Sequence, residues 1–465
     1  MFPKDFTKLR DLFIDNMEIR MKKLTTFLGL ALFCLGSTVL HAASQVDFSG
    51  YLRLRAYGVD GFWNEGGSNG ANSLSEQYAT TRFRMNMVFR PTDEIEVRWR
   101  AHGPHNARWG AESTSQNLRT MYIYGIVKTD YGRVSIGRIS SDFDSAGLQT
   151  LGYIPTWGLS SQAFIFDVDS EDDGIMYRND WDNNFGLKAF YMKKASDSSG
   201  IGSDQDYDRF SIEPYYKWDN GGASLALQYD RNMGQNQRAD TSLGRPAVYY
   251  DTNYHFSVNP AFMHQWNLGD SKSLAFHFEG KFAWGERKYG PGSATGTKKV
   301  DVDGAGLYAD LNYNYGPGDM TLGAWWFNGS STGSGKHDLV NPGEGFYPYV
   351  VFYAGHAHPK GSKSLEGNQR SNHWAVSFMG NHSLTPEVQL NYGVAHFEKS
   401  RTRDDVSKNM GTELDLGLTI QLLDNMQFST KAGYFLTGDY YKEQYNRRDY
   451  DKNIMAWGNE LIISF

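Results

Sequence analysis

From residue 46 onward the chain repeats one pattern: runs of about ten residues in which apolar and polar side chains alternate. Residues 46–57 set Phe48, Gly50, Leu52, Leu54 and Ala56 against Ser49, Tyr51, Arg53 and Arg55. Residues 80–90 set Phe83, Met85, Met87 and Phe89 against Arg82, Arg84, Asn86 and Arg90. Residues 95–102 set Ile95, Val97, Trp99 and Ala101 against Glu96, Arg98, Arg100 and His102, and Leu414, Leu416, Leu418, Ile420 and Leu422 repeat the pattern near the C-terminus. A period of two makes a strand with one apolar and one polar face. Eighteen such strands are predicted, starting near residues 46, 78, 95, 117, 133, 174, 185, 207, 222, 251, 273, 301, 320, 372, 388, 411, 426 and 453.

The connections narrow the fold further. Eight are short and carry turn chemistry, among them PTDE (91–94), KTDYG (128–132), NLGDSK (267–272) and SLTPE (383–387). Nine are long and polar, at 59–77, 103–116, 140–172, 193–206, 231–250, 286–300, 328–371, 398–410 and 438–452, and the two kinds alternate strictly. An even-stranded meander with both ends on one side produces this count. In lipid every backbone amide must be paired, so a spanning sheet has to close. Its strands cross at a tilt, with short turns on the periplasmic side and long loops outside. The expected fold is all-β: an 18-stranded antiparallel transmembrane β-barrel, with sixteen as the alternative count. It forms one domain over 43–465, with the third long loop, 140–172, folded into the pore.

Composition excludes other classes. Past residue 42 no apolar run reaches 18 residues, so helical spans are not expected. A net charge of −7 spread over both signs leaves no footprint for nucleic acid. One cysteine rules out a disulfide framework or a cysteine-based zinc site. Aromatics make up 15% of the chain; Tyr122, Tyr124, Tyr215, Tyr216, Trp325, Trp326 and Trp374 would suit interfacial girdles. Residues 21–42 (MKKLTTFLGLALFCLGSTVLHA) have a basic start, an apolar stretch and small residues at the end, the layout of a secretory signal peptide. Residues 1–42 are therefore expected to be removed, and the remainder exported to a Gram-negative outer membrane. The first strand starts so soon after this segment that no plug domain is expected.

The polar parity of the first three strands places Arg53, Arg55, Arg82, Arg84, Arg98 and Arg100 on one face. Arginine is permanently charged and carries five donors, so the six are expected to form a basic wall facing the lumen. Loop 140–172 is partly apolar (Leu148, Leu151, Tyr153, Ile154, Trp157, Phe164) and acidic, with Asp142, Asp144, Asp167, Asp169, Glu171 and Asp172, and Asp173 follows it. Folded inward, it would bury its apolar side and set these carboxylates against the arginines, giving a transverse field. His356 and His358 in the longest loop lack a neighbouring carboxylate, and no Ser/His/Asp set is evident. No metal, cofactor or enzymatic activity is expected.

Two stretches resemble known families. YIYGIVKTDYGRVSIGR (122–138), the loop that follows, and DDGIMYRNDWDNNFGLKAFYM (172–192) resemble the general porins of Gram-negative bacteria, through Gly137, Arg138, Gly174, Tyr177, Asn179, Phe185, Gly186 and Leu187. That resemblance implies sixteen strands, a trimer, and a constriction where Arg138 joins the basic wall opposite the acidic loop. GTELDLGLTIQLLDNMQFSTKAGYFLTGDYY (411–441) is similar to the alginate-export barrels, eighteen-stranded monomers that pass an anionic polysaccharide. The terminal WGNELIISF (457–465) resembles the signal by which barrel-assembly machinery recognises outer-membrane proteins, with Phe465 as its last residue. The expected function is a passive channel for small hydrophilic or anionic solutes and ions; the alternative is export of an anionic polysaccharide or organic acid. Expected partners are outer-membrane lipid, the assembly machinery and the solutes.

Overall fold

The computed structural model describes residues 45–62, 74–103, 107–109, 118–140, 171–181, 184–195, 207–232, 236–237, 248–289, 298–328, 337–338, 351, 372–445 and 453–465. One compact unit spans Val46–Phe465. Its strands are β1 (Gln45–Phe62), β2 (Leu74–Arg90), β3 (Ile95–His102), β4 (Arg119–Thr129), β5 (Gly132–Ser140) and β6 (Glu171–Trp181). Next come β7 (Phe185–Ala195), β8 (Tyr207–Trp218), β9 (Gly221–Asn232), β10 (Val248–Gly269), β11 (Lys272–Tyr289) and β12 (Lys298–Asn314). The last six are β13 (Gly318–Phe327), β14 (His373–Ser383), β15 (Val388–Lys399), β16 (Asn409–Leu423), β17 (Met426–Thr437) and β18 (Ile454–Ser464), with a short helix α1 (Asp439–Tyr445) before β18. Three two-residue bridges lie outside this count.

Each strand pairs antiparallel with its neighbours in sequence. The sheet closes where β1 meets β18, in a register running from Tyr51 opposite Ser464 to Asp60 opposite Met455. The result is a closed eighteen-stranded antiparallel barrel. Every strand begins within four residues of its expected start. Sixteen, the number in general porins, is not what this chain builds.

The short connections are fixed by local chemistry. Between β10 and β11, Asp270 and Ser271 both have positive φ (45° and 63°), the conformation of a two-residue type I′ hairpin, whose twist matches that of the strands. In PTDE the Thr92 hydroxyl accepts the N–H groups of Glu94 and Ile95 (3.3 and 3.2 Å), and in SLTPE Thr385 does the same for Glu387 and Val388 (3.2 and 3.1 Å). Each threonine satisfies two turn donors that no ladder reaches.

Alternation along the strands separates two environments. Leu414, Leu416, Phe282, Trp284, Ile212 and Leu227 lie on one face and are 40–59% exposed. So many large apolar side chains exposed on one continuous face mark a lipid-facing exterior. On that face Tyr191, Phe210, Tyr229, Phe256 and Trp284 stand in register on β7–β11, successive rings 4.7–6.4 Å apart. The opposite face carries most of the polar side chains, many of them buried against one another.

Some aromatics expected in the girdles face inward instead. Tyr122, Tyr124, Tyr215 and Trp325 are at most 7% exposed, whereas Tyr216 and Trp326 are 47% and 37% exposed. Adjacent residues of a strand must point to opposite faces, so Tyr215–Tyr216 and Trp325–Trp326 cannot both be girdle pairs. The inward aromatics Trp325, Phe327, Phe397 and Phe435 gather at the long-loop end of β13–β17, with Phe397 6.2 Å from Trp325 and 6.1 Å from Phe435. Helix α1 sets Tyr441 on this cluster, 6.4 Å from Phe435. Val351, from the longest connection, is buried, and its N–H donates to the Glu413 carboxylate at 2.5 Å.

Closure at the seam needs a glycine. Phe465 and Gly50 exchange backbone hydrogen bonds of 2.9 and 3.1 Å, and a Cβ on Gly50 would collide with the Phe465 ring. That ring stacks on Phe83 at 5.9 Å.

Candidate functional site: the inner wall

Cross-strand register decides which arginines share the inner face. On β2 and β3, Arg84 lies opposite His102, Asn86 opposite Arg100, and Val88 opposite Arg98. On β1 and β18, Arg53 lies opposite Ile462 and Arg55 opposite Glu460. Arg53, Arg55, Arg82, Arg84, Arg98 and Arg100 are thereby brought together on three neighbouring strands, all on the face opposite Leu52, Leu54, Met85 and Trp99. Arg53 and Arg55 converge on Glu460, with Arg53 at 3.7 Å. Arg98 pairs with Glu96, and Arg90 bridges Glu96 (3.2 Å) and Asp47. Arg100 donates to Asn86 at 2.6 Å and lies 4.8 Å from the centroid of the Tyr122 ring, while Arg84 lies 5.9 Å from that of Tyr51.

Arg138 is placed differently. It stands opposite Ile123 on β4 and Asp173 on β6, in step with the exposed Ile136, whereas Ser135 and Ile139 point the other way and are buried. Arg138 and Asp173 are both exposed and neighbour one another on the outer face at the long-loop end. Neither lines the lumen. With Arg133 fixed on the inner face by the register, counting by twos puts Arg138 on the outer one. Glu171, Asp172 and Asp173 belong to β6 rather than to the loop. Asp142, Asp144, Asp167 and Asp169 lie outside the described residues, as do His356, His358 and the 1–42 segment.

Several further groups point inward, of which the sequence offers only Arg133, as an extension of the basic wall whose parity it leaves open. Lys431 on β17 stands opposite Gly417 and Gly458. Arg133 on β5 stands opposite Lys128 and Arg178. Lys188 and Glu213 form a buried pair at 3.2 Å, and Arg209 binds Asp230 at 2.6 Å. The parity of Arg133 depends on which residue of KTDYG ends the turn, so periodicity alone could not settle it.

The opposite arc of the inner wall is acidic. Asp230, Glu279, Asp310, Asp319, Glu413 and Asp415 fall on the inward parity of β9 to β16, and five of the six are at most 5% exposed. Asp310 accepts from Tyr308 (2.6 Å) and contacts His277 (2.5 Å). Cations thus concentrate on β1–β8 and β17, and carboxylates on β9–β16. Among the described residues, no group of three or more His, Cys, Asp or Glu side chains is arranged to hold a metal ion.

The inward patch of β4–β7 is apolar: Tyr122, Tyr124, Ile126, Ile139, Met176, Phe190 and Met192 form one buried cluster. It adjoins the two strands between which the third long connection runs.

A family model described as Gram-negative porin matches residues 29–402 of the chain. Among solved structures the fold is similar to that of Pseudomonas aeruginosa OpdQ, at 14% identity and a TM-score of 0.51, covering 90% of this chain and 97% of that one. It is similar to P. aeruginosa OpdL, at 11% identity and 0.51, covering 90% and 98%. P. aeruginosa OccK3 (OpdO) matches at 11% identity and 0.51, covering 90% and 96%. At these identities the likeness is one of fold. No curated protein matches the chain.

Proposed function

We propose that this chain, which belongs to the Gram-negative porin family, is a passive channel that favours small anionic solutes. It is a porin-type channel of the outer membrane; the anion preference is our own reading of its inner wall. One observation carries that reading: six arginines share the inward face of β1–β3 while six carboxylates occupy the arc from β9 to β16. Opposed charges across a water-filled gap of low-dielectric walls orient polar solutes and disfavour apolar ones. Guanidinium groups add paired donors that fit a carboxylate or phosphate edge.

The apolar cluster on β4–β7 supports placing the adjoining loop inside the barrel, where Asp142, Asp144, Asp167 and Asp169 would add to the negative side. Tyr441 and Val351 stand over the inner wall of β13–β17, which favours small solutes over a polymer. The test is the zero-current potential of the protein in a planar bilayer with unequal KCl. An anion-preferring sign is expected; a cation-preferring sign rejects the reading.

A further inference from the structure

We propose that Arg133, Arg178 and Lys217 form a second anion station at the short-turn mouth of the channel, suited to a compact, doubly charged oxyanion. It rests on the reading that the lumen passes anions, and adds to it a place and a charge class.

The station is built by the ends of four strands. Gly132 opens β5 after the turn at Asp130 and Tyr131, so Arg133 is the second residue of its strand. Register sets Arg133 opposite Lys128 on one side and Arg178 on the other, three cations abreast on the inward face. Like charges directly opposite in a sheet repel, so the arrangement is unfavourable unless an anion sits among them. Lys217 closes the group from β8: its ammonium and the Arg178 guanidinium both lie 5.3 Å from the centroid of the Tyr215 ring.

Counter-charge is short here. Asp180 accepts from Arg178 at 3.2 Å and from the Tyr215 hydroxyl, which also receives a 2.9 Å hydrogen bond from Arg178. Glu213 is committed to Lys188, and Glu94 offsets only Lys128. Arg90 and Arg98, on the inner wall toward the same end, are both paired with Glu96. Arg133 makes no ion pair among the described residues, and its Nε is buried without a hydrogen-bond partner. A donor held out of water with no acceptor is costly, and an incoming oxyanion would supply the acceptor.

The scaffold around the station is rigid. Tyr215 is 2% exposed and lies against Gly186, where any Cβ would collide with its ring. The glycine therefore lets the tyrosine reach across and lock Asp180 to Arg178. Asp180 also attracts Arg133 and Lys217, and Lys128 donates to the Asp93 carbonyl at 3.3 Å and is attracted by Glu94, so four cations face two carboxylates, an excess that favours a dianion over a monoanion. The planar fork of arginine matches two oxygens of one tetrahedral anion.

The probe is inorganic phosphate at slightly alkaline pH, added to KCl on one side of a bilayer holding the full-length channel. Phosphate is expected to reduce the chloride current, more strongly from the short-turn side. In Arg133→Gln the half-blocking concentration should rise about tenfold, the scale of one lost charge-assisted hydrogen bond. Arg133→Lys keeps the charge and guards against a folding defect; it should give a smaller rise in the same direction. Equal half-blocking concentrations in wild type and Arg133→Gln, or no phosphate block at all, overturn the station. A wild-type channel without anion preference overturns the wider reading instead, so the two failures are distinguishable.

Discussion

A channel in which Arg82, Arg84, Arg98 and Arg100 are all replaced by glutamate is expected to prefer cations, where the wild type is expected to prefer anions. The four sit on adjacent strands, with Arg84 in register with His102 and Arg100 in register with Asn86. Their replacement removes four positive charges and adds four negative ones to a single patch of wall. The facing arc already carries Asp230, Glu279, Asp310, Asp319, Glu413 and Asp415, so the lumen becomes acidic on both sides. Screening limits the reach of each charge to about 10 Å at 0.1 M salt, and the reversal should therefore be largest at low ionic strength. Zero-current potentials in unequal KCl read the sign directly. Unchanged selectivity would mean that these side chains do not set the field that permeating ions meet.

Removal of Phe465 should deplete the protein from the outer membrane, roughly tenfold, the ratio corresponding to about 1.4 kcal/mol of lost recognition. Within the finished barrel this residue contributes the two backbone bonds to Gly50 and a ring stacked on Phe83. One aromatic pair is worth about 0.5–1.5 kcal/mol beyond area burial, small beside a sheet closed by eighteen strand pairings. The effect on assembly should therefore exceed the effect on stability. Heat-modifiable protein in the membrane fraction is the quantity to follow. The depleted fraction that does assemble should keep a melting temperature close to the wild type's. Full membrane levels after truncation would show that Phe465 is merely the last residue of a strand.

The barrel was legible because lipid leaves a spanning sheet few choices. Alternation over ten residues, repeated eighteen times between short and long connections, points to a closed barrel; counting turns favours eighteen strands over sixteen, and the pairing of the strands decides it. The same alternation identified the six arginines of β1–β3. It failed where neighbouring residues carried the same chemistry: Tyr215–Tyr216 and Trp325–Trp326 read as girdle pairs, yet the pleat sends one of each inward. It was ambiguous at Arg133, where the end of a turn sets the parity of the strand. The same ambiguity covers Arg138, which the family resemblance sets at the constriction and the register sets on the outer face.

Glu460 could not be matched with Arg53 and Arg55 in advance, because their contact exists only once the first strand meets the last, some 400 residues apart. Alternation sets Glu279, Glu413 and Asp415 on the polar face, but their place across from the arginines was hidden for the same reason. The six carboxylates are spread over β9, β11, β12, β13 and β16, two of them on β16, and only closure of the sheet sets them across from the arginines. Gly186 was noticed within a family pattern, while its use, as room for Tyr215, depends on a neighbouring strand.

The register assigns each of these side chains to water or to lipid, and everything electrostatic depends on that assignment. It is tested most directly by single cysteines at positions 84 and 138, modified by a charged, membrane-impermeant thiol reagent during single-channel recording. Stepwise loss of current is predicted for Arg84→Cys and none for Arg138→Cys. Loss of current at position 138 with none at position 84 would contradict the account.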